Sequence, residues 1–98
     1  MPQVSFNPAV TISDALRKAA AEIGLEEKAF DPVVRPADPR FGDFQANGIL
    51  PAAKRLRQAP RPLAQQLIEL VEKQELINPT DFSWEIAGPG FINFSLKP

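Results

Sequence analysis

The chain has 98 residues, of which 44% are hydrophobic and 23% are charged, and its formal net charge is −1. This composition is that of an ordinary globular domain, and no apolar run approaches the ~20 residues that a membrane-spanning helix requires. The chain has no cysteine and no histidine, which excludes disulfides, thiolate or imidazole metal ligands and any Ser-His or Cys-His nucleophile pair. We therefore expect one domain over residues 1–98 that has no catalytic residues, binds no metal and is located in the cytoplasm.

The first predicted element is an amphipathic helix over about residues 12–23. Its apolar face, at helical spacing, comprises Ile12, Leu16, Ala19, Ala20 and Ile23. Thr11 is expected to cap the helix with Asp14 reaching back to it, and Gly24 stands where a left-handed residue ends a helix. Residues 1–10 contain two prolines and are expected to form an extended lead-in.

Two short strands and a second helix are expected next. Residues 33–35 lie between prolines, which favours a short edge strand, and residues 42–46 are interpreted as a second strand. A proline inside a helix costs about 3 kcal/mol or more, so Pro51 must lie near a helix start. Asn47 is therefore expected as the N-cap of a helix over about residues 48–57. The residues expected to point inward are Ile49, Ala53 and Leu56.

The remainder of the chain predicts a third helix over about residues 62–74 and strands over 82–87 and 91–97. The apolar face of the helix comprises Leu63, Leu67, Leu70 and Val71. A Gly-Pro-Gly between two alternating runs predicts a tight turn between the strands. The element order is α-β-β-α-α-β-β, which indicates an α+β domain of two layers: a small, mostly antiparallel four-stranded sheet with helices packed on one face.

Basic residues are concentrated in the middle of the chain. Residues 35–62 carry six basic and two acidic groups, whereas residues 1–34 have a net charge of −2 and residues 63–98 of −3. Such a stripe is commonly a solvated helix face, and in a nearly neutral domain it is suited only to auxiliary contacts with nucleic acid.

The last strand raises a question of its own. Side chains alternate along a strand, so Ile92, Phe94 and Leu96 share the buried face while Phe91 and Asn93 share the open one. An aromatic ring beside an amide can stack on an unpaired base and hydrogen-bond its edge. A solvent-side phenylalanine can equally pack against protein, which is the commoner case. The residues alone leave both interpretations open.

Two segments resemble a known family. DPRFGDFQAN at residues 38–47 resembles the DPKFGDYQxN segment of arginyl-tRNA synthetases, with Phe44 in place of tyrosine. IAGPGFINF at residues 86–94 is similar to the IAGPGFINF segment of that family. The intervening KRL and PRPLA match the family pattern AKKLxxNPRxLA, except that Ala59 stands where asparagine is usual. The resemblance covers about residues 12–97 and is to the N-terminal additional domain of the enzyme.

The resemblance implies a non-catalytic tRNA-binding domain of an ATP-dependent arginine–tRNA ligase. Such a domain contacts the D-loop of arginine tRNA and supports arginylation by the intact enzyme. The catalytic domain of the family carries a HIGH-like signature, which a chain without histidine cannot contain, so ATP and arginine would bind outside this chain and no cofactor is expected here. The expected partners are arginine tRNA and the remaining domains of the synthetase, with no membrane. The alternative is a structural domain that docks on protein through the Phe91 face.

The same resemblance implies particular site residues. Phe91 would stack on a D-loop base, and Asn93 would hydrogen-bond its edge. The turn that presents them would be Gly88, Pro89 and Gly90. Further candidates for contact with tRNA or its phosphates are Gln45, Arg40, Lys54, Arg55 and Arg57.

Overall fold

The computed structural model describes residues 7–25, 30–38 and 40–97. Its elements, in chain order, are α1 (Pro8–Glu22), β1 (Val34–Pro36), β2 (Phe44–Ala46), α2 (Ile49–Leu56), α3 (Pro60–Lys73), β3 (Phe82–Ala87) and β4 (Phe91–Leu96). The predicted order and the α+β class are confirmed: three helices pack against one face of a four-stranded antiparallel sheet.

The strands lie in the order β1-β2-β4-β3, so the last strand of the chain is central. Phe44, Phe94 and Trp84 are neighbours across three strands and face the helices. The Trp84 indole donates a hydrogen bond of 3.0 Å to Glu72 on α3, which links the edge strand β3 to the helical layer. The helix face of the sheet is thus the core, and none of the three described helices covers the other face.

Helix α1 begins four residues before the predicted start. The Asn7 side chain accepts hydrogen bonds from the backbone N–H groups of Ala9 (3.1 Å) and Val10 (3.4 Å), and Pro8 occupies the first helical position. The predicted Thr11 cap is therefore wrong, because an asparagine followed by a proline offers a stronger start. Residues 8–10 of the expected lead-in are helical, while residues 1–6 lie outside the described residues. Gly24 has φ 85° and ends the helix as predicted.

The start of α2 also differs from the prediction. Its N-cap is Gly48, not Asn47, whose Oδ1 is buried without a partner among the described residues. A Cβ on Gly48 would overlap the carbonyl oxygen of Asp31, so the close approach of two backbone segments requires glycine there. Pro51 is the third helical residue, where its missing N–H is one that the helix leaves unpaired in any case, as expected.

Strand and helix limits shift slightly elsewhere. Val33 has φ 51° and cannot belong to β1, which runs one residue later than predicted and ends on an edge-strand proline. Helix α3 starts at Pro60 and not at residue 62, because proline is well suited to the first helical position.

Two residues that were expected to be buried are partly exposed. Leu56, on the last turn of α2, is 39% exposed, and Ala52 is buried on that helix in addition to Ile49 and Ala53. Leu96 is 40% exposed, because the pairing of β4 with β2 ends at Phe94 and leaves the end of β4 at the margin of the sheet.

Candidate nucleic-acid interface

A row of polar residues crosses the helix-free face of the sheet, which we call the open face. Arg35 of β1 pairs with Gln45 of β2, Gln45 pairs with Asn93 of β4, and Asn93 pairs with Glu85 of β3. Because these are direct cross-strand neighbours, their side chains project from the same face. The open face therefore carries an arginine and a glutamate at its edges and two amides at its centre.

Asn93 forms the floor of this face. It lies on the open face, and it is only 3% exposed. It lies on a central strand between Gln45 of β2 and Glu85 of β3, and it lines a pocket together with Phe41 of the loop before β2. Gln45 Nε2 donates a hydrogen bond of 2.8 Å to Asn93 Oδ1. Within residues 7–25, 30–38 and 40–97, the Nδ2 group of Asn93 has no hydrogen-bond partner, so the amide presents donors.

Phe91 lies at one end of the open face, beside the β3–β4 turn. It is half-buried, and its ring rests against Gly88, where an added Cβ would lie 3.5 Å from Phe91 Cδ2. Gly88 has φ 55° and Gly90 φ 144°, conformations that favour glycine, and the exposed Pro89 lies between them. The ring therefore has its Cδ2–Cε2 edge beside the turn and remains partly exposed.

The start of α3 fixes this turn. Arg61 Nη1 donates a hydrogen bond of 2.8 Å to the carbonyl oxygen of Gly88. A Cβ on Gly90 would lie 2.9 Å from Pro60 Cβ, so the turn and the helix start are in direct contact. The sequence pattern places Arg61 among the basic residues but does not indicate this positioning role.

The other end of the open face carries a residue that the sequence pattern does not single out. Phe41 is 51% exposed and borders a shallow pocket of about 280 Å³. The pocket is lined by Phe41, Ser83, Trp84, Glu85, Asn93 and Ser95. Phe41 lies within the DPRFGDFQAN segment, so the sequence could have marked it as a candidate. Its position beside the sheet, however, depends on contacts between distant parts of the chain.

Arg40 is the candidate cation nearest this pocket. Its guanidinium lies 5.5 Å from the centre of the Phe41 ring. It also donates hydrogen bonds to both carboxylate oxygens of Asp38, at 3.2 and 3.0 Å. These bonds, with a further one from the Arg40 backbone N–H, hold the pKa of the Asp38 carboxyl below its ordinary value.

The other basic candidates do not form one surface with Arg40. Lys54 borders a groove of about 580 Å³ between α2 and the start of α3. Arg55 lies on the other side of α2, beside the segment from Phe30 to Val33. Arg57 is the left-handed C-cap of α2, with φ 56°. The stripe of the linear sequence is thus divided among several sides of the molecule.

Two properties of the described residues bear on the function. Among residues 7–25, 30–38 and 40–97, no three acidic side chains are grouped as a metal ion would require. In the same described part of the chain, no helix has the length and apolar character needed to cross a membrane.

Comparison with known proteins gives consistent matches. Residues 9–96 match the family model described as the arginyl tRNA synthetase N terminal domain. The chain is 45% identical over 87 residues to an arginine–tRNA ligase of Mannheimia succiniciproducens, and 48% identical over 89 residues to one of a Picosynechococcus species. These alignments cover 88% and 89% of this chain but 14% of each relative, so the chain spans about one seventh of their length.

Solved structures show the same fold. The Thermus thermophilus arginyl-tRNA synthetase aligns with a TM-score of 0.69 and 25% identity, over 93% of this chain and 14% of that one. The Plasmodium falciparum enzyme aligns with a TM-score of 0.69 and 20% identity, over 91% of this chain and 16% of that one. The family match covers nearly every residue of the sheet and helices described above. The chain belongs to the arginyl-tRNA synthetase N-terminal domain family.

Proposed function

We propose that this chain is a non-catalytic tRNA-binding domain that contacts the D-loop of arginine tRNA through the open face of its sheet. In the intact ligase it would help to position the tRNA, while ATP and arginine bind elsewhere and the reaction occurs in the catalytic domain. The lack of cysteine is consistent with a cytoplasmic enzyme. The remaining domains of the synthetase would be its other partners.

The observation that carries the proposal is the state of the Asn93 side chain. Asn93 is only 3% exposed and its Oδ1 is engaged, while its Nδ2 has no partner among the described residues and keeps contact with solvent. An amide donor that is fixed through its own oxygen and open at the surface is available to a ligand. An acceptor on the edge of an extruded base would complete this group and would do so on the same face as the Phe91 ring.

Phe91 would supply the stacking energy. One base on an aromatic side chain contributes about 1–3 kcal/mol, and no charge is needed for it. This suits a chain with a net charge of −1, which cannot rely on phosphate contacts for affinity. We therefore expect the isolated domain to bind tRNA weakly and to select it through a base and not through charge.

Gly88, Pro89 and Gly90 would act by holding Phe91 in place and not by touching RNA. Gln45 would fix the orientation of the Asn93 amide through its hydrogen bond and would thereby affect the contact with the base indirectly. Arg40 is the favoured phosphate contact because it lies on the open face, whereas Lys54, Arg55 and Arg57 would serve RNA that extends around the molecule.

The alternative is that the open face docks on another domain through Phe91. Stacking on a base requires a flat aromatic ring, whereas docking on protein requires only an apolar side chain. Phe91→Leu keeps an apolar side chain against Gly88 but removes the stacking surface, so it should weaken tRNA binding by about 1–3 kcal/mol without a change in melting temperature.

The measurement is the Kd for arginine tRNA at low salt, with the thermal unfolding of each variant in parallel. Leu96→Ala is the matched control, since Leu96 is a partly exposed residue of the same strand on the opposite face. If Phe91→Leu binds tRNA normally, the proposed function is contradicted and the docking role is favoured.

A further inference from the structure

The end of the open face opposite to Phe91 carries an exposed aromatic residue that is not part of the core. Phe41 is 51% exposed, and it is absent from the core. A single exposed apolar residue is ordinary by itself, but this ring borders a pocket that is lined by polar groups. Here the polar groups are Ser83, Glu85 and Ser95.

The loop holds Phe41 in position although the ring is not buried. Asp43 N–H donates a hydrogen bond of 2.9 Å to the Phe94 carbonyl oxygen, and Asp43 Oδ2 accepts one of 2.7 Å from Leu96 N–H. A Cβ on Gly42, which has φ 123°, would lie 2.8 Å from Ser95 Oγ. The backbone of the segment that carries the ring is therefore bound directly along β4.

The pocket beside this ring is small and is lined by a hydrogen-bond donor. Its volume of about 280 Å³ lies just below the range of about 300–1,000 Å³ for small-molecule sites, which fits a single planar ring system. Asn93, whose Nδ2 has no partner within the described part of the chain, lines the pocket, and Glu85 of the lining carries acceptor oxygens. These are groups that pair with the donor and acceptor positions of a nucleobase edge.

A phosphate can be accommodated at the same end. The Arg40 side chain is 79% exposed and lies over the Phe41 ring. Its ion pair with Asp38 is solvent-exposed and worth little, so a phosphate can compete for the guanidinium. The backbone of a nucleotide whose base lies on Phe41 would thus meet a cation.

We propose that Phe41 is a second stacking platform, so that the open face takes two unstacked nucleotides of one RNA loop, one on Phe91 and one on Phe41. Phe91 and Ser95 are separated along the strand by about 13 Å, which is too far for one base to contact both ends of the face. Asn93 lies between the two platforms. This inference rests on the proposed function and adds a second nucleotide to it.

The test is the affinity of the chain for an arginine tRNA transcript at low salt, measured for Phe41→Ala and Phe41→Trp. Loss of the ring should weaken binding about 5- to 150-fold, and tryptophan should restore or tighten it. Val10→Ala is the control, because Val10 is also 51% exposed but lies on α1. Should Phe41→Ala unfold, Phe41→Leu keeps the apolar volume without the flat ring.

Salt dependence separates the ring from its cation. The slope of log K against log salt concentration should be unchanged in Phe41→Ala and should fall by about one in Arg40→Gln. A loss of slope in Phe41→Ala would mean that the ring only holds Arg40, which would overturn a stacking role.

Abasic transcripts then identify the nucleotide. Single abasic sites are placed in turn through the D-loop, and each is combined with Phe41→Ala and with Phe91→Leu. For each variant, we expect the loss of affinity to be non-additive with the loss caused by one abasic site, and that site should differ between the two variants. If Phe41→Ala is additive with every position while Phe91→Leu is coupled to one, the second platform is wrong and the proposed function stands. If neither variant weakens binding, or the unaltered chain binds no tRNA, both are wrong.

Discussion

At the centre of the open face, one hydrogen bond determines which end of the Asn93 amide faces the pocket. Gln45 can donate or accept, and here its Nε2 donates to Asn93 Oδ1. The amide donors of Asn93 are then left for a ligand. Gln45 thus positions the group that would read the base, although it lies 48 residues earlier in the chain.

Substitutions of Gln45 should separate stability from specificity. Gln45→Glu can only accept, so the Asn93 amide must turn to donate its Nδ2, which preserves the hydrogen bond and presents Oδ1 to the pocket. Gln45→Leu leaves Oδ1 buried and unpaired, at a cost of about 1–3 kcal/mol of unfolding free energy. We expect both variants to bind arginine tRNA less well and only Gln45→Leu to lose stability in chemical denaturation.

The added charge in Gln45→Glu needs its own control. Repulsion from phosphates is screened as salt rises, whereas the orientation of an amide is not. The loss of affinity relative to the unaltered chain should therefore persist at higher salt. A loss that disappears there would mean that Gln45 has no positioning role.

Among the elements, the helix starts differ in how well they are capped, and the least well capped lies nearest the proposed site. Asn7 caps α1 with its side chain, whereas the N-cap of α3 is Ala59, which has no side-chain acceptor. The start of α3 also holds the β3–β4 turn, through Pro60 and Arg61. If the first turn of α3 unfolded locally, the β3–β4 turn that presents Phe91 would lose these contacts.

A better cap at Ala59 should stabilise the domain. Its backbone already has extended N-cap geometry, φ −68° and ψ 133°, so Ala59→Asn should add about 1 kcal/mol. For a domain of this size, that is a rise in melting temperature of about 4–8 °C. Ala59→Leu has the shape of asparagine without its oxygen and should give no such rise. Equal melting temperatures for the two variants would show that capping is not the cause.

Local patterns predicted the elements well where one signal dominates. The alternation of residues 82–87 and 91–96 and the apolar faces of α1 and α3 were sufficient, because burial on one side leaves a regular period. Helix starts were less predictable, because several candidate caps compete. The N-cap of α1 is Asn7 and not the predicted Thr11. The N-cap of α2 is Gly48, whose backbone lies close to that of Asp31, although Asn47 has the better side chain for capping.

The site was only partly predictable for a different reason. Phe91 and Asn93 share a face by simple alternation, but the burial of Asn93 depends on strands that lie beside β4 only in the folded chain. Phe41 reaches the pocket because a loop more than 50 residues earlier binds to β4. Neither fact has a local signal.

On the scale of the whole molecule, the two faces of the sheet differ in composition, and we propose that one provides stability and the other recognition. The helix face holds the core, including the fully buried Ile92 and Phe94. The open face has amides at its centre and an aromatic ring towards each end, and its cations are few. On the proposed function, this surface would gain little from charge and would depend on a base that is unstacked in the RNA.

The most direct test of base recognition on the open face is a ¹⁵N-HSQC titration of the chain at low salt with arginine tRNA and with a D-loop-substituted version. We predict shifts of the backbone amides of Gly90, Phe91 and Asn93 and of the Asn93 side-chain Nδ2 group, all of which shrink with the substituted RNA. Shifts that ignore the substitution or are confined to residues 54–57, or no shifts at all, would contradict recognition of a D-loop base on the open face.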